Sequence, residues 1–237
     1  MSDTLDIVII DSGVNPWHSH VQGVAGGISF DLDESGEVLP SDDYRDETGH
    51  GTAIAGVIRE SVPQARLHAV RIFRRELEAP MTVLQAALEW AVKKRPKMIH
   101  LSLGTEREEY KPTLEELCRQ ACEQGTVIVA AARTPEDRVY PGVFDTVIGV
   151  CWDRSCDGER AIVYHPGKQV EFGAWGSPRS LRGLPEEMNF KGSSFAAARV
   201  TALAARMLEE HPQQGTEWVR QTLKTMAKEE NTHGERE

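Results

Sequence analysis

Three side chains far apart in the sequence are of the types needed to attack an acyl carbon: Asp11, His50 and Ser194. Asp11 ends an apolar run in Asp11-Ser12-Gly13, His50 opens His50-Gly51-Thr52, and Ser194 lies in Gly192-Ser193-Ser194-Phe195-Ala196. A serine hydroxyl is a poor nucleophile until a base within hydrogen-bond reach takes its proton. An imidazole suits that task near neutral pH and can return the proton to a leaving amine. A carboxylate fixes the imidazole's tautomer and stabilises its charged form. The chain order Asp, His, Ser is one of several in which this set has arisen. Singly the motifs are bland: Asp-Ser-Gly is a common turn, His-Gly-Thr a helix start, and Gly-Ser-Ser an N-cap. Together, each at an element boundary, they predict a serine hydrolase.

The elements that must aim these groups follow from hydrophobic periodicity. Short apolar runs alternate with helical patterns, which predicts an α/β fold with a mostly parallel sheet covered on both faces. Strands are expected over 6–10, 67–73, 98–103 and 126–132, with shorter ones over 146–152, 161–165 and 169–172. Helices are expected over 50–59, 82–94, 113–124, 194–210 and 216–228. The third has Thr113 as N-cap, Glu116 in the capping-box position and Gly125 just past its end. Asp11 then sits at the carboxyl end of a buried strand, where open α/β sheets place their sites. No repeat or linker divides the chain, so one domain is expected over 1–237, with its core at 5–228 and a polar, frayed tail at 229–237.

Composition narrows the function classes. The 237 residues are 40% hydrophobic, enough for a substantial core. A formal charge of −10 argues against a nucleic-acid partner, which needs clustered Lys and Arg. The N-terminus carries no secretory signal pattern, so a cytoplasmic location is expected. The longest apolar run, 127–132, is too short to cross a membrane. Cys118, Cys122, Cys151 and Cys156 fit no zinc spacing and are read as reduced structural thiols. Asp31, Asp33, Asp42 and Asp43 are read as solvated surface rather than calcium ligands, and His18 and His20 as loop residues, so no metal or cofactor is expected. A nucleotide or redox domain is disfavoured, since no Gly-rich phosphate loop follows a strand and no Cys-x-x-Cys occurs.

The segments Ile7-Val8-Ile9-Ile10-Asp11-Ser12-Gly13-Val14, His50-Gly51-Thr52-Ala53-Ile54-Ala55-Gly56 and Gly192-Ser193-Ser194-Phe195-Ala196 resemble the three signature blocks of the subtilisin-like serine proteases, peptidase family S8. Segments 63–71, 86–91 and 99–104 extend the likeness, which covers about residues 5 to 210. The resemblance implies a three-layer α/β/α fold and a serine endopeptidase with Asp11, His50 and Ser194 as its triad. Ser193 occupies the motif's variable small position. The substrate would be an extended peptide, added as a strand between Ser102-Leu103-Gly104 and Glu76-Leu77-Glu78. Ala131, Ala132, Arg133 and Thr134 would complete the wall of the pocket for the residue before the cut (P1).

The departures from the family pattern are specific. Where the family has Ala-Ala-Gly-Asn, whose asparagine donates to the oxyanion beside the Ser194 backbone N–H, this chain has Ala131-Ala132-Arg133-Thr134. Losing that donor in a subtilisin costs about 2.7–4 kcal/mol. Either Thr134 or Arg133 takes over, or the enzyme is slow. Arg133 would also narrow the P1 pocket or favour an acidic P1 residue, or else point to solvent. The helix after the serine lacks a proline, and Ala174-Trp175-Gly176 stands for Ala-Pro-Gly. Met81 and Leu84 would form an apolar subsite or simply pack in the core. No folding pro-domain and no extended acidic calcium loops are evident, which implies limited processing rather than bulk digestion. In these omissions the chain resembles the small intracellular members that trim leader peptides, such as the one serving quinohemoprotein amine dehydrogenase biogenesis. The competing expectation is a catalytically weak relative that binds a peptide or partner without cutting it.

Overall fold

The computed structural model describes residues 4–234, with side chains through residue 227. Its centre is strand β1 (Asp6–Asp11), whose side chains alternate between two cores. Ile7 and Ile9 face one apolar cluster, Val8 and Ile10 the other, and all four are buried. A strand buried on both faces must sit inside a covered sheet. The remaining strands are β2 (Gly26–Leu32), β3 (Val38–Ser41), β4 (Arg66–Arg71), β5 (Met98–Leu101), β6 (Val127–Ala131), β7 (Val147–Trp152), β8 (Ile162–Tyr164) and β9 (Phe172–Ala174). They form one nine-stranded sheet in the order β3-β2-β4-β1-β5-β6-β7-β9-β8. Only the edge strands β3 and β8 pair antiparallel.

Helices α1 (His50–Ser61), α4 (Ser193–Glu210) and α5 (Thr216–Gly234) cover the face of Ile7 and Ile9. Helices α2 (Met81–Lys94) and α3 (Lys111–Glu123) cover the face of Val8 and Ile10. The result is the expected α/β/α sandwich. Along α4 a run of alanines, Ala196 to Ala198 with Ala202, Ala204 and Ala205, is buried. Small side chains let this helix lie against α1 and the central strands at once.

Four local expectations are revised. Strands β2 and β3 were not anticipated, because β2 opens on two glycines and is only partly buried, while β3 is four residues long, largely exposed and contains Pro40, so neither shows a buried apolar run. Helix α3 starts at Lys111, two residues before the expected N-cap. Pro112 fits its first turn because no N–H is needed there, and Glu116 pairs with Arg119 and Gln120 instead of closing a capping box. The strand expected over 169–172 begins at Phe172. Helix α5 continues through Gly234 where the sequence reading ended a helix at 228; residues 235–237 of the expected frayed tail lie outside the described residues.

No disulfide joins the four cysteines. Burial pushes the thiols of Cys118 and Cys151 up to about 12, far from a reactive range. Among the described residues no cluster of His, Cys, Asp and Glu is arranged to hold a metal ion, and no helix is long and apolar enough to cross a membrane. Asp31 pairs with Arg74 and Asp43 with Arg45, while Asp33 closes a turn through Ser35 and Glu37.

Candidate active site

Asp11 is the last residue of β1 and is wholly buried. Its Oδ1 accepts the Ser12 backbone N–H at 2.6 Å and faces His50 Nδ1 at 2.8 Å. His50 is the first residue of α1 and is 5% exposed. Burial disfavours the charged imidazole, but the Asp11 carboxylate, through its charge and its hydrogen bond, outweighs it with help from Asp46. The His50 pKa is therefore raised above the ordinary 6.5. Burial likewise opposes charge on Asp11, yet His50, Ser102 and the Ser12 amide together hold its pKa below 3.8. The acid is ionised and the base is oriented.

The glycines in these motifs have identifiable tasks. Gly13 turns the chain at φ +93°, and a Cβ there would lie 2.3 Å from the Tyr44 carbonyl oxygen. A Cβ on Gly51 would lie 2.2 Å from the Gly13 carbonyl oxygen and 3.0 Å from Asp11 Oδ1. Only a glycine lets α1 approach the end of β1 closely enough for the 2.8 Å contact between His50 and Asp11.

Asp46 supports this junction and was not singled out in the sequence. Its Oδ1 accepts from the Ser12 hydroxyl and the Thr48 and Gly49 amides, and its Oδ2 from the Thr52 amide and hydroxyl. Because Gly49 offers no side-chain cap, Asp46 supplies the acceptors at the start of α1. An aspartate followed by a short turn into an apolar helix was the legible signal.

Ser194 is the second residue of α4, which starts after Gly192, so its backbone N–H is among those at the helix start that have no carbonyl one turn earlier within the helix. Its Oγ is 3.4 Å from the Ser102 carbonyl oxygen. The adjoining Phe195 ring meets the His50 ring edge-on at 5.2 Å, and Phe190 meets it at 5.8 Å. Ser193 instead turns its hydroxyl to the Trp152 amide at 3.1 Å, a structural contact.

A groove of about 720 Å³ runs past Ser194. Of the residues expected to bind substrate, Leu77, Glu78, Ser102, Leu103, Gly104, Ala131, Ala132 and Arg133 line it. Glu76 and Thr134 do not. Thr134 donates its hydroxyl to Asp137 at 2.9 Å, and its amide also points to Asp137. Arg133, exposed, pairs with Glu106, which shares the groove, and with Asp137 at 3.5 Å. Met81 is half-buried and Leu84 buried, and both pack in the core beneath α2. The groove residues missed in the sequence, Thr105, Glu106 and Val139, come from loops without periodicity.

In this mostly parallel α/β sheet a buried carboxylate–imidazole pair stands at one strand end and a serine at a helix start. A model of the subtilase family, Peptidase_S8, matches residues 3–151 and 160–237, and the chain belongs to that family. It is 28% identical over 235 residues to subtilisin DY of Bacillus licheniformis, covering 92% of this chain and 82% of subtilisin DY. Over 233 residues it is 25% identical to the minor extracellular protease Epr of Bacillus subtilis (strain 168), covering 93% of this chain and 34% of Epr. The thermostable alkaline protease of Halalkalibacterium halodurans is 28% identical over 233 residues, covering 93% of this chain and 61% of that protein. The chain thus spans only part of the length of these last two relatives. Sphericase shares the fold with a TM-score of 0.72 at 22% identity, over 94% of this chain and 82% of its own.

Proposed function

We propose that this protein is a serine endopeptidase that makes limited cuts in an extended polypeptide in the cytoplasm. The observation that carries the reading is the buried 2.8 Å contact between His50 Nδ1 and Asp11 beside a groove lined by Ser194. Ser194 Oγ attacks the substrate carbonyl carbon as its proton passes to His50 Nε2. The tetrahedral oxyanion forms at the start of α4, where backbone N–H groups and the helix dipole favour negative charge. His50 then protonates the leaving amine, and a water, deprotonated by the same imidazole, releases the acyl group from Ser194.

For the second oxyanion donor the assignment falls on Arg133. Thr134 spends its hydroxyl on Asp137, whereas Arg133 lines the groove and keeps N–H groups beyond those it gives Glu106 and Asp137. Two relatives' names as proteases support peptide hydrolysis, and four cysteines without a disulfide suit a reducing compartment. Trimming of one leader or partner polypeptide fits a site with a weakened oxyanion hole. The same feature favours a second reading, a subtilase that binds a peptide and cuts it poorly or not at all.

Incubating the purified protein with an unfolded protein and a peptide library, with mass spectrometry of the products, separates the two. The expected result is a small set of cuts that disappears in Ser194→Ala. Saturable peptide binding without cuts would establish the second reading instead, and neither cuts nor binding would end both.

A further inference from the structure

A count of the hydrogen bonds around Asp11 leaves one place unfilled. Oδ1 receives the Ser12 amide and faces His50 Nδ1, while Oδ2, equally buried, has no hydrogen-bond partner. A buried carboxylate oxygen without a donor is costly, so the donors within reach matter. The Ser12 hydroxyl cannot serve, because it donates to Asp46 and accepts from the Gly51 amide. The Ser102 hydroxyl is the remaining side-chain donor that bears on this carboxylate.

Whether Ser102 can donate depends on His100, a fully buried residue of β5 that the proposed reaction does not use. His100 Nε2 lies 2.9 Å from the Ser102 hydroxyl, and Nδ1 lies 3.0 Å from the Thr201 hydroxyl on α4. Burial drives the His100 pKa down to about 4, with Asp11 and His50 the charged groups that bear on it. Its strand neighbours, Ile9 on β1 and Val129 on β6, carry no charge. His100 is therefore a neutral ring with a single N–H and two possible places for it. With the proton on Nδ1, the ring donates to Thr201, Nε2 must accept from Ser102, and Asp11 Oδ2 stays empty. With the proton on Nε2, the ring donates to Ser102, Thr201 donates to Nδ1, and the Ser102 proton is released for Asp11. Only the second arrangement leaves a proton that Asp11 Oδ2 can receive.

We infer that His100 is a positioning residue: held as its Nε2–H tautomer between Thr201 and Ser102, it turns the Ser102 hydroxyl onto Asp11 Oδ2 and so fixes the carboxylate that orients His50. The kinetic consequence rests on the endopeptidase reading; the tautomer does not. A missing third bond leaves Asp11 freer to rotate and concentrates its charge on Oδ1, which raises the His50 pKa further. Ser102→Ala and His100→Leu are each expected to lower kcat about tenfold with KM unchanged, and to move the acid limb of the pH profile upward. The pair together is expected to lose no more than either alone, since both act through one hydroxyl. His100→Asn, whose amide N–H can donate to Ser102, restores the rate.

The direct test needs no activity and no variant. Nitrogen-15 NMR of histidine-labelled protein between pH 5.5 and 8 is expected to show His100 neutral with its proton on Nε2. A proton on Nδ1 would overturn the inference, as would independent, additive losses in the double variant or an Asn variant no better than Leu. If the NMR agrees and no peptide is cut, it is the endopeptidase reading that has failed.

Discussion

His50 gives the site its pH dependence, and the sign follows from its surroundings. Its pKa is raised above 6.5, chiefly because the attraction of Asp11 exceeds the cost of burial. As a base it must be neutral, so kcat/KM is expected to rise with pH through a midpoint above that value. Asp11→Asn removes the attraction and leaves the burial. The midpoint should then fall below 6.5, and the rate should fall about 10⁴-fold as the wrong tautomer is favoured. A midpoint that does not move would show that Asp11 is not what holds the ring. The same pair stabilises the fold in a window. His50, raised, contributes fully below 6.5 and loses its contribution as pH climbs through its folded value; Asp11, lowered, contributes above 3.8 and loses it as pH falls through its own.

His100 works in the opposite direction. Its folded pKa is about 4 against 6.5 unfolded, so the unfolded chain takes up a proton that the folded one refuses as pH falls between those values. Wild type should therefore lose about 2 kcal/mol relative to His100→Asn between pH 7 and pH 4.5, measured by urea unfolding. Equal pH dependence of the two proteins would mean that His100 is not held neutral.

At the scale of elements, the junction of β1 with α1 matters most. Ala at position 51 would push α1 off the Gly13 carbonyl, so Gly51→Ala should cost about 2–3 kcal/mol and weaken catalysis by parting His50 from Asp11. Asp46→Ala leaves the start of α1 and the Ser12 hydroxyl without acceptors and should cost about 2 kcal/mol, seen as a lower Tm with α1 amides exchanging faster. The central strands and all five helices were legible because their apolar spacing is set by burial on known faces. Strands β2 and β3 were not, since a half-exposed edge pair carries no such spacing. The pairing of Asp11 with His50 was legible from residue type and order. Asp46 left a local signal that was not read, an aspartate two to six residues before the amides it caps, whereas His100 left none, because its partner Thr201 lies 101 residues away in sequence.

For the whole molecule, the groove decides what is cut. Arg133 is a long cation in a place the family leaves open, yet Glu106 and Asp137 neutralise it within the same wall. Its effect is therefore expected to be one of size more than charge. Arg133→Gly should admit larger P1 residues in a peptide-library profile, with no loss of preference for acidic ones, while lowering kcat through loss of an oxyanion donor. An unchanged profile and rate would place Arg133 in solvent, outside both tasks.

The central claim is that His50 and Asp11 activate one particular hydroxyl. Treating the protein with a fluorophosphonate and mapping the adduct by peptide mass spectrometry tests it most directly. The account predicts a single adduct on Ser194, none on Ser193, and its loss in His50→Ala. An unlabelled Ser194, or labelling indifferent to His50, would contradict it.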